Sequence, residues 1–354
     1  MSERASTASL KRQLRFDWQG STLLSATQIN TLRRLLLGRR IVVCFGAGVD
    51  STALLVVLWL AAIRPNLITF ADTGGEKPET YVHLVRMNEV LRGWEWPEIV
   101  VCRKNTKEST PYVTLQGECL ANETLPAIAF GMKSCSMKWK QEPQDQYLMG
   151  VKSGPNARAP HSLWLESQLS GSRIVKLFGY DSGRADLRRS RNLPLADENF
   201  DRSYPLQVLG WVRADCVHVI VEVLGLALVP IKSACWFCPA SRRWELYWLA
   251  AYHPDLLEQA LEIERNALTG RHSRFNTVEF GDDWDELVRD AVSFPSSKTT
   301  VGLGRSFAWN RWARMNGVVD QNFKVRRELA DQFRQRARAL QSEDDNALDA
   351  RACA

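Results

Sequence analysis

Residues 40–102 alternate short apolar runs with longer stretches of helical spacing, and few folds accept that order. RIVVCF (40–45) reads as a buried strand, and Ser51–Ile63 as a helix. NLITFADTG (66–74) reads as a second strand with its turn, KPETYVHLVRMNEVLRG (77–93) as a helix with Pro78 in its first turn, and EIVVC (98–102) as a third strand. Strands separated by helices of this length form βαβ units, so the spacing predicts a parallel sheet covered by helices on both faces. A helix over 26–37, ending at Gly38, precedes the first strand.

The alternation loosens further on. Residues 151–171 are rich in Gly, Pro and Ser and read as a loop, SRIVKLFGYD (172–181) restores a strand, and RADCVHVIVEVLG (213–225) reads as a short helix. From Ser241 the pattern is mostly helical. The reading divides the chain into an arm and helix (1–37), an α/β domain (38–240), a helical region (241–342) and a frayed tail (343–354).

With 45% apolar and 24% charged residues among 354, the chain can bury a sizeable core. No segment reaches the roughly 18 consecutive apolar residues of a membrane helix, and the basic N-terminus has no apolar signal region. A cytoplasmic location with no membrane partner is the expectation. The net charge of +6 permits a polyanionic partner without requiring one.

The turn FGAGVDST (45–52) joins the first strand to its helix. Small residues at Gly46, Ala47 and Gly48 let backbone N–H groups converge on an anion, and the helix N-terminus adds positive potential. Ser51 and Thr52 carry hydroxyls for further bonds. Asp50 beside phosphates makes sense as a ligand of a nucleotide's Mg²⁺ or as a helix cap. No Gly-Lys-Ser/Thr follows, so this is not a Walker A loop, and the third glycine of the dinucleotide fingerprint is absent. An N-capped helix with a tight entry turn is the plainer alternative.

Here the chain resembles a known superfamily. Gly46-Ala47-Gly48-Val49-Asp50-Ser51 is similar to the PP-loop of the N-type ATP pyrophosphatases, Ser-Gly-Gly-x-Asp-Ser, with Gly46 replacing the serine and Ala47 the middle glycine. The preceding FGA resembles the variant in PAPS reductases. FADTGGEKPET (70–80), SCSMKWK (134–140), GYDSGRADLRR (179–189), YPLQVLGWVRADCVHVI (204–220) and ACWFCPAS (234–241) resemble further landmarks of the PAPS reductase-like group, in order. The resemblance implies a Rossmann-like (HUP-type) α/β sheet, with a mostly helical C-terminal region beyond it. It implies an adenine nucleotide held by the 46–52 turn, by Asp72, Thr73 and Gly74, and by Gly179, with Lys138 and Arg188 as candidate catalytic cations beside Asp50 and Ser51.

The eight cysteines do not suggest a disulfide framework in an intracellular chain of this size. Cys44 and Cys102 lie in apolar runs and read as core residues. Cys235 and Cys238 form a Cys-x-x-Cys pair able to share one metal. By the resemblance, Cys135 is the third ligand of a [4Fe–4S] cluster, with the fourth position open or filled by Cys119 or Cys216. Zinc and a metal-free thiol pair remain alternatives.

Arg184, Arg188, Arg189 and Arg191 follow a predicted strand, where a parallel sheet places its ligands, and guanidinium forks suit phosphate; a solvated loop paired with Asp181 and Asp186 is the competing reading. Trp244, Tyr247, Trp248 and Ala251 share one helical face and read as a packing stripe. The basic amphipathic run 323–340 reads equally as a solvated face or a nucleic-acid contact. The five histidines show no ligand spacing.

These readings converge on an enzyme that binds ATP·Mg²⁺, releases pyrophosphate and adenylates an acceptor. A sulfur-donor protein and a nucleic-acid or nucleotide acceptor are the implied partners. A sulfonucleotide reductase is the alternative within the superfamily; it needs a C-terminal nucleophile, for which Cys353 is the one candidate. A non-catalytic, metal-stabilised nucleic-acid-binding subunit is the alternative outside it.

Overall fold

The computed structural model describes residues 23–130, 134–154, 157–269, 302–305 and 307–352. The N-terminal arm, His272 and Cys353 lie outside them. The chain divides into two compact units that do not follow its linear order. Of the described residues, the first unit comprises those within 23–72, 77–105 and 140–233, and the second those within 73–76, 106–139 and 234–352.

The first unit begins with α1 (Ala26–Leu36), capped by a reciprocal pair in which Ser25 Oγ accepts from Gln28 N–H and Gln28 Oε1 accepts from Ser25 N–H. Then come β1 (Arg40–Cys44), α2 (Val49–Leu60), β2 (Leu67–Asp72), α3 (Pro78–Gly93) and β3 (Ile99–Arg103). The second unit supplies α4 (Leu115–Ala121). The first resumes with α5 (Glu142–Met149), α6 (Ser162–Ser170), β4 (Ile174–Phe178), α7 (Arg184–Arg191), β5 (Phe200–Ser203) and α8 (Arg213–Leu224).

All five strands are parallel, in the order β3-β2-β1-β4-β5. The α/β fold expected from the sequence is present. Strand order reverses direction between β1 and β4, which opens a crevice beyond their carboxyl ends, the usual ligand position in such sheets. Every residue of β2 is buried, as a central strand covered on both faces requires, and α2 is apolar around nearly its whole circumference because it too is enclosed.

Residues 151–171 are not loop throughout. His161 Nδ1 accepts from Leu163 N–H, α6 follows, and Gly171 at φ 64° ends it. The Gly/Pro composition of 153–160 masks a helix whose buried face is only Leu163 and Ser167. The arginine cluster likewise sits on a helix, α7, not on a loop.

The second unit holds α9 (Arg243–Tyr252), α10 (Pro254–Thr269), α11 (Trp309–Met315) and α12 (Ala330–Ala352), so the C-terminal region is helical as expected. The last helix runs on through most of what the sequence reading treats as a tail. Tyr247 packs edge-on against Trp312 at 4.9 Å between ring centres, consistent with a packing stripe on α9.

Candidate functional site

The turn after β1 is built from backbone. Phe45 N–H donates to Thr69 O at 2.8 Å, which carries the sheet ladder one residue past β1. Ala47 then takes φ 53° and Gly48 caps α2. A left-handed alanine costs about 1–2 kcal/mol, and a glycine there would not. Ser51 Oγ accepts from Gly48 N–H at 3.1 Å and donates to Gly48 O at 3.0 Å, closing the turn on itself. Among the described residues the N–H groups of Gly46, Ala47 and Val49 have no protein acceptor. Three backbone donors at the N-terminus of a 12-residue helix form an anion cradle.

Gly179 approaches this cradle from the end of β4. A Cβ there would lie 2.6 Å from both N and Cα of Ser51. No side chain fits, so glycine is required where the two strand ends converge. Gly48 is similarly confined, since a Cβ would meet Ser233 Oγ at 2.7 Å. Next to Ser233, Lys232 O accepts from Lys77 Nζ at 3.3 Å, and Lys77 is 1% exposed. Nothing in the sequence singles out Lys77, because a lysine just before a helix usually points to water.

Asp50 enters the same place with a defined partner. Its Oδ2 accepts from Arg213 Nη1 at 2.7 Å, while Oδ1 is buried with no hydrogen-bond partner among the described residues. Burial pushes the Asp50 carboxyl up to about 6; Arg213 pulls it down, and the carboxylates of Asp181 and Asp186 push it further up. Arg213 opens α8, which packs on α2, and no local pattern in the sequence pairs these two residues.

Thr52 is fully buried, and its hydroxyl bonds His83 Nε2 at 2.9 Å. That bond ties the first turn of α2 to α3. Burial pushes His83 down to about 4, so the imidazole is neutral, and its ring lies against Phe45 at 6.2 Å. A lone histidine on a helix carries no signal of what it will meet.

Beyond β4, Tyr180 and Tyr204 stack at 5.5 Å and 4°, and Tyr204 Oη is buried without a partner among the described residues. Asp181 Oδ1 accepts from Gly183 N–H at 2.8 Å, and Asp186 Oδ1 accepts from Arg189 at 2.6 Å. All four arginines of the cluster are exposed, and Arg189 is in addition paired with Asp186. Asp72 closes β2, accepting from Tyr81 Oη at 2.8 Å and from Arg103 Nε at 3.0 Å.

In the second unit, Thr73 Oγ1 donates to Glu76 Oε1 at 3.1 Å and lies 3.1 Å from Cys235 Sγ. Glu76 and Cys235 form an antiparallel bridge, and Trp236 N–H donates to Gly75 O at 2.9 Å. Gly74, at φ 73°, leaves no space for a side chain, since a Cβ would meet Thr114 Cγ2. The Asp-Thr-Gly segment and the Cys-x-x-Cys segment, far apart in sequence, are thus joined through Thr73–Glu76. Cys238 N–H donates to Cys235 O at 3.0 Å, closing a turn between the thiols. Lys138 is exposed.

Comparisons with known proteins add little to this geometry. No protein-family model and no curated protein matches the sequence. Among solved structures, the chain is similar to the phosphoadenylyl-sulfate (PAPS) reductase from Candida auris in its phosphate complex. The identity is 16% and the TM-score 0.29, over 57% of this chain and 89% of that one. So remote a likeness concerns the fold at most, and the sheet order stands on its own geometry.

Among the described residues no three His, Cys, Asp or Glu side chains are grouped to hold an ion. Cys235 is instead buried and hydrogen-bonded, donating to Glu76 Oε1 at 3.7 Å. Cys135 and Cys238 are half-buried at the edge of the second unit's core. No chemical step is derived through a cluster or zinc. No helix among the described residues is long and apolar enough to cross a membrane.

Proposed function

We propose that the chain binds ATP at the 46–51 turn and transfers its adenylyl group to an acceptor, with release of pyrophosphate. The observation that carries this reading is the turn itself: N–H groups of Gly46, Ala47 and Val49 with no acceptor among the described residues, on a left-handed turn at the point where strand order reverses, with Gly179 closing from β4. Such a cradle suits a polyphosphate better than a neutral ligand.

An acceptor oxygen would attack the α-phosphorus in line, with the β- and γ-phosphates held in the turn as the leaving group. The protein's contribution is charge stabilisation and alignment. Backbone donors take the phosphate oxygens, Ser51 holds the turn in shape, and Lys77 and Arg213 supply positive charge beside it. The orphaned Oδ1 of Asp50 fits a Mg²⁺ carried by the nucleotide, which when bound would neutralise phosphate charge. Tyr180 and Tyr204 offer an aromatic floor beyond β4 for the base.

The acceptor belongs to the same proposal: a nucleic acid or nucleotide, with sulfur transfer as the following step. Pyrophosphate release from ATP tests the first half. Turnover by the wild-type chain and its loss in Asp50→Ala are expected. Sulfite release from PAPS with a thiol reductant, in place of pyrophosphate release from ATP, would replace this reading with the reductase.

A further inference from the structure

A second site of different character lies elsewhere in the first unit. A groove of about 710 Å³ is lined by Asn30 and Arg33 of α1, Trp59 at the end of α2, Arg64 in the following loop, and Trp96. A contiguous hollow of about 580 Å³ shares Asn30 and Arg33 and adds Arg34. Among the described residues, three arginines and two tryptophans line this surface and no carboxylate does.

The arginines are set in place by their stems. Arg33 Nε donates to Ala61 O at 2.9 Å and Arg64 Nε to Glu95 O at 3.2 Å. Both acceptors belong to turns with a left-handed non-glycine residue, Ala62 at φ 53° and Glu95 at φ 60°. With Nε committed to the fold, the terminal nitrogens of each fork are the donors left for a ligand. The aromatic side is equally fixed. Trp59 stacks on Trp94 at 4.8 Å and 10°, and Trp96 meets Trp94 edge-on at 5.3 Å. A half-buried Trp96 ring held against Trp94, beside oriented guanidinium forks and with no acid among the described lining residues, suits a flat base stacked on the ring and phosphates held by the forks.

We infer that this groove binds single-stranded nucleic acid. Trp96 serves as the base platform beside the Trp59–Trp94 stack, and Arg33, Arg34 and Arg64 track the backbone. The groove lies at the opposite end of α2 from the phosphate turn, about 18 Å away along a 12-residue helix. It therefore anchors a strand and does not itself present the reacting group. Binding stands apart from the adenylation reading; only the further step, that the bound strand is the acceptor, rests on it.

Fluorescence anisotropy of the full chain with a labelled oligodeoxythymidylate of about twelve residues tests the site without ATP. Binding is expected to favour the single strand over a duplex of the same length. Trp96→Ala should weaken it roughly tenfold and Trp96→Tyr should restore most of it. Arg34→Gln, on an exposed position that cannot disturb folding, should lower the slope of log affinity against log salt by about 0.7, one phosphate contact. Unchanged affinity and slope in both Trp96→Ala and Arg34→Gln would overturn the assignment. So would preference for duplex, or displacement of the oligonucleotide by an equally charged polyglutamate. Asp50→Ala should bind the oligonucleotide normally, which separates failure here from failure of the ATP reading.

Discussion

Asp50 and Arg213 meet at 2.7 Å across 163 residues of sequence, and the pair sits at the turn between β1 and α2. With its carboxyl raised to about 6, Asp50 is ionised at neutral pH but only by a narrow margin. Pyrophosphate release should therefore fall on acidification, with an acid limb near pH 6. In Arg213→Gln the guanidinium that favours the ionised form is gone, so the limb should move to higher pH. A pH–rate profile of both proteins checks this.

Stability should respond to the same group in the opposite sense. A carboxyl whose pKa is raised in the fold stabilises fully below its unfolded value, about 3.8, and loses that contribution as pH rises through about 6. Asp50→Asn removes the burial cost of the charge. It should raise the free energy of unfolding at pH 8 by up to about 2–3 kcal/mol, and change it little at pH 4, as read by denaturant titration at the two pH values. Nucleotide binding should be lost in the same variant, an exchange of stability for function common at active sites.

His83 works against Asp50 in acid. Its folded pKa, near 4, lies below the ordinary 6.5, so its contribution is present above pH 6.5 and lost as pH falls toward 4. His83→Gln keeps a partner for Thr52 but does not titrate. Thermal melts between pH 7 and 4.5 should show a flatter decline in His83→Gln than in the wild type.

Gly179→Ala should be severe. The new Cβ would sit 2.6 Å from backbone atoms of Ser51, which cannot step aside as a flexible side chain would. A loss of about 2–3 kcal/mol is expected, together with loss of ATP binding. Gly171→Ala is the comparison: φ 64° strains it too, but nothing lies within 4 Å of the added carbon. It should cost only about 1 kcal/mol and spare nucleotide binding. Chemical denaturation and equilibrium dialysis separate the two.

In the second unit, Glu264 is wholly buried and accepts from Leu303 N–H, Trp309 N–H, Asn310 N–H and Asn310 Nδ2 at 2.6–2.8 Å. Burial pushes its carboxyl pKa up even as these four donors favour the ionised form. Glu264→Ala strands all four, and Glu264→Gln turns an amide NH₂ toward N–H donors. Both should cost about 3 kcal/mol or more by denaturant titration, with Ala the worse.

The sequence alone determined the parallel α/β order, because buried strands and enclosed helices have different apolar periods that survive any packing. It also located the turn at 46–51, since glycines and a helix-opening Asp-Ser are local signals. Helix α6 was hidden because only two of its residues are buried. What the tertiary structure decided were the partnerships. Arg213 reaches Asp50, His83 takes the hydroxyl of Thr52, Lys77 is drawn inside, and Thr73 meets Cys235. Such pairings join residues 31 to 163 positions apart, or in the case of Lys77 a carbonyl 155 positions away. They follow from how elements pack, and nothing in the spacing of one segment records which side chain another segment will bring to it.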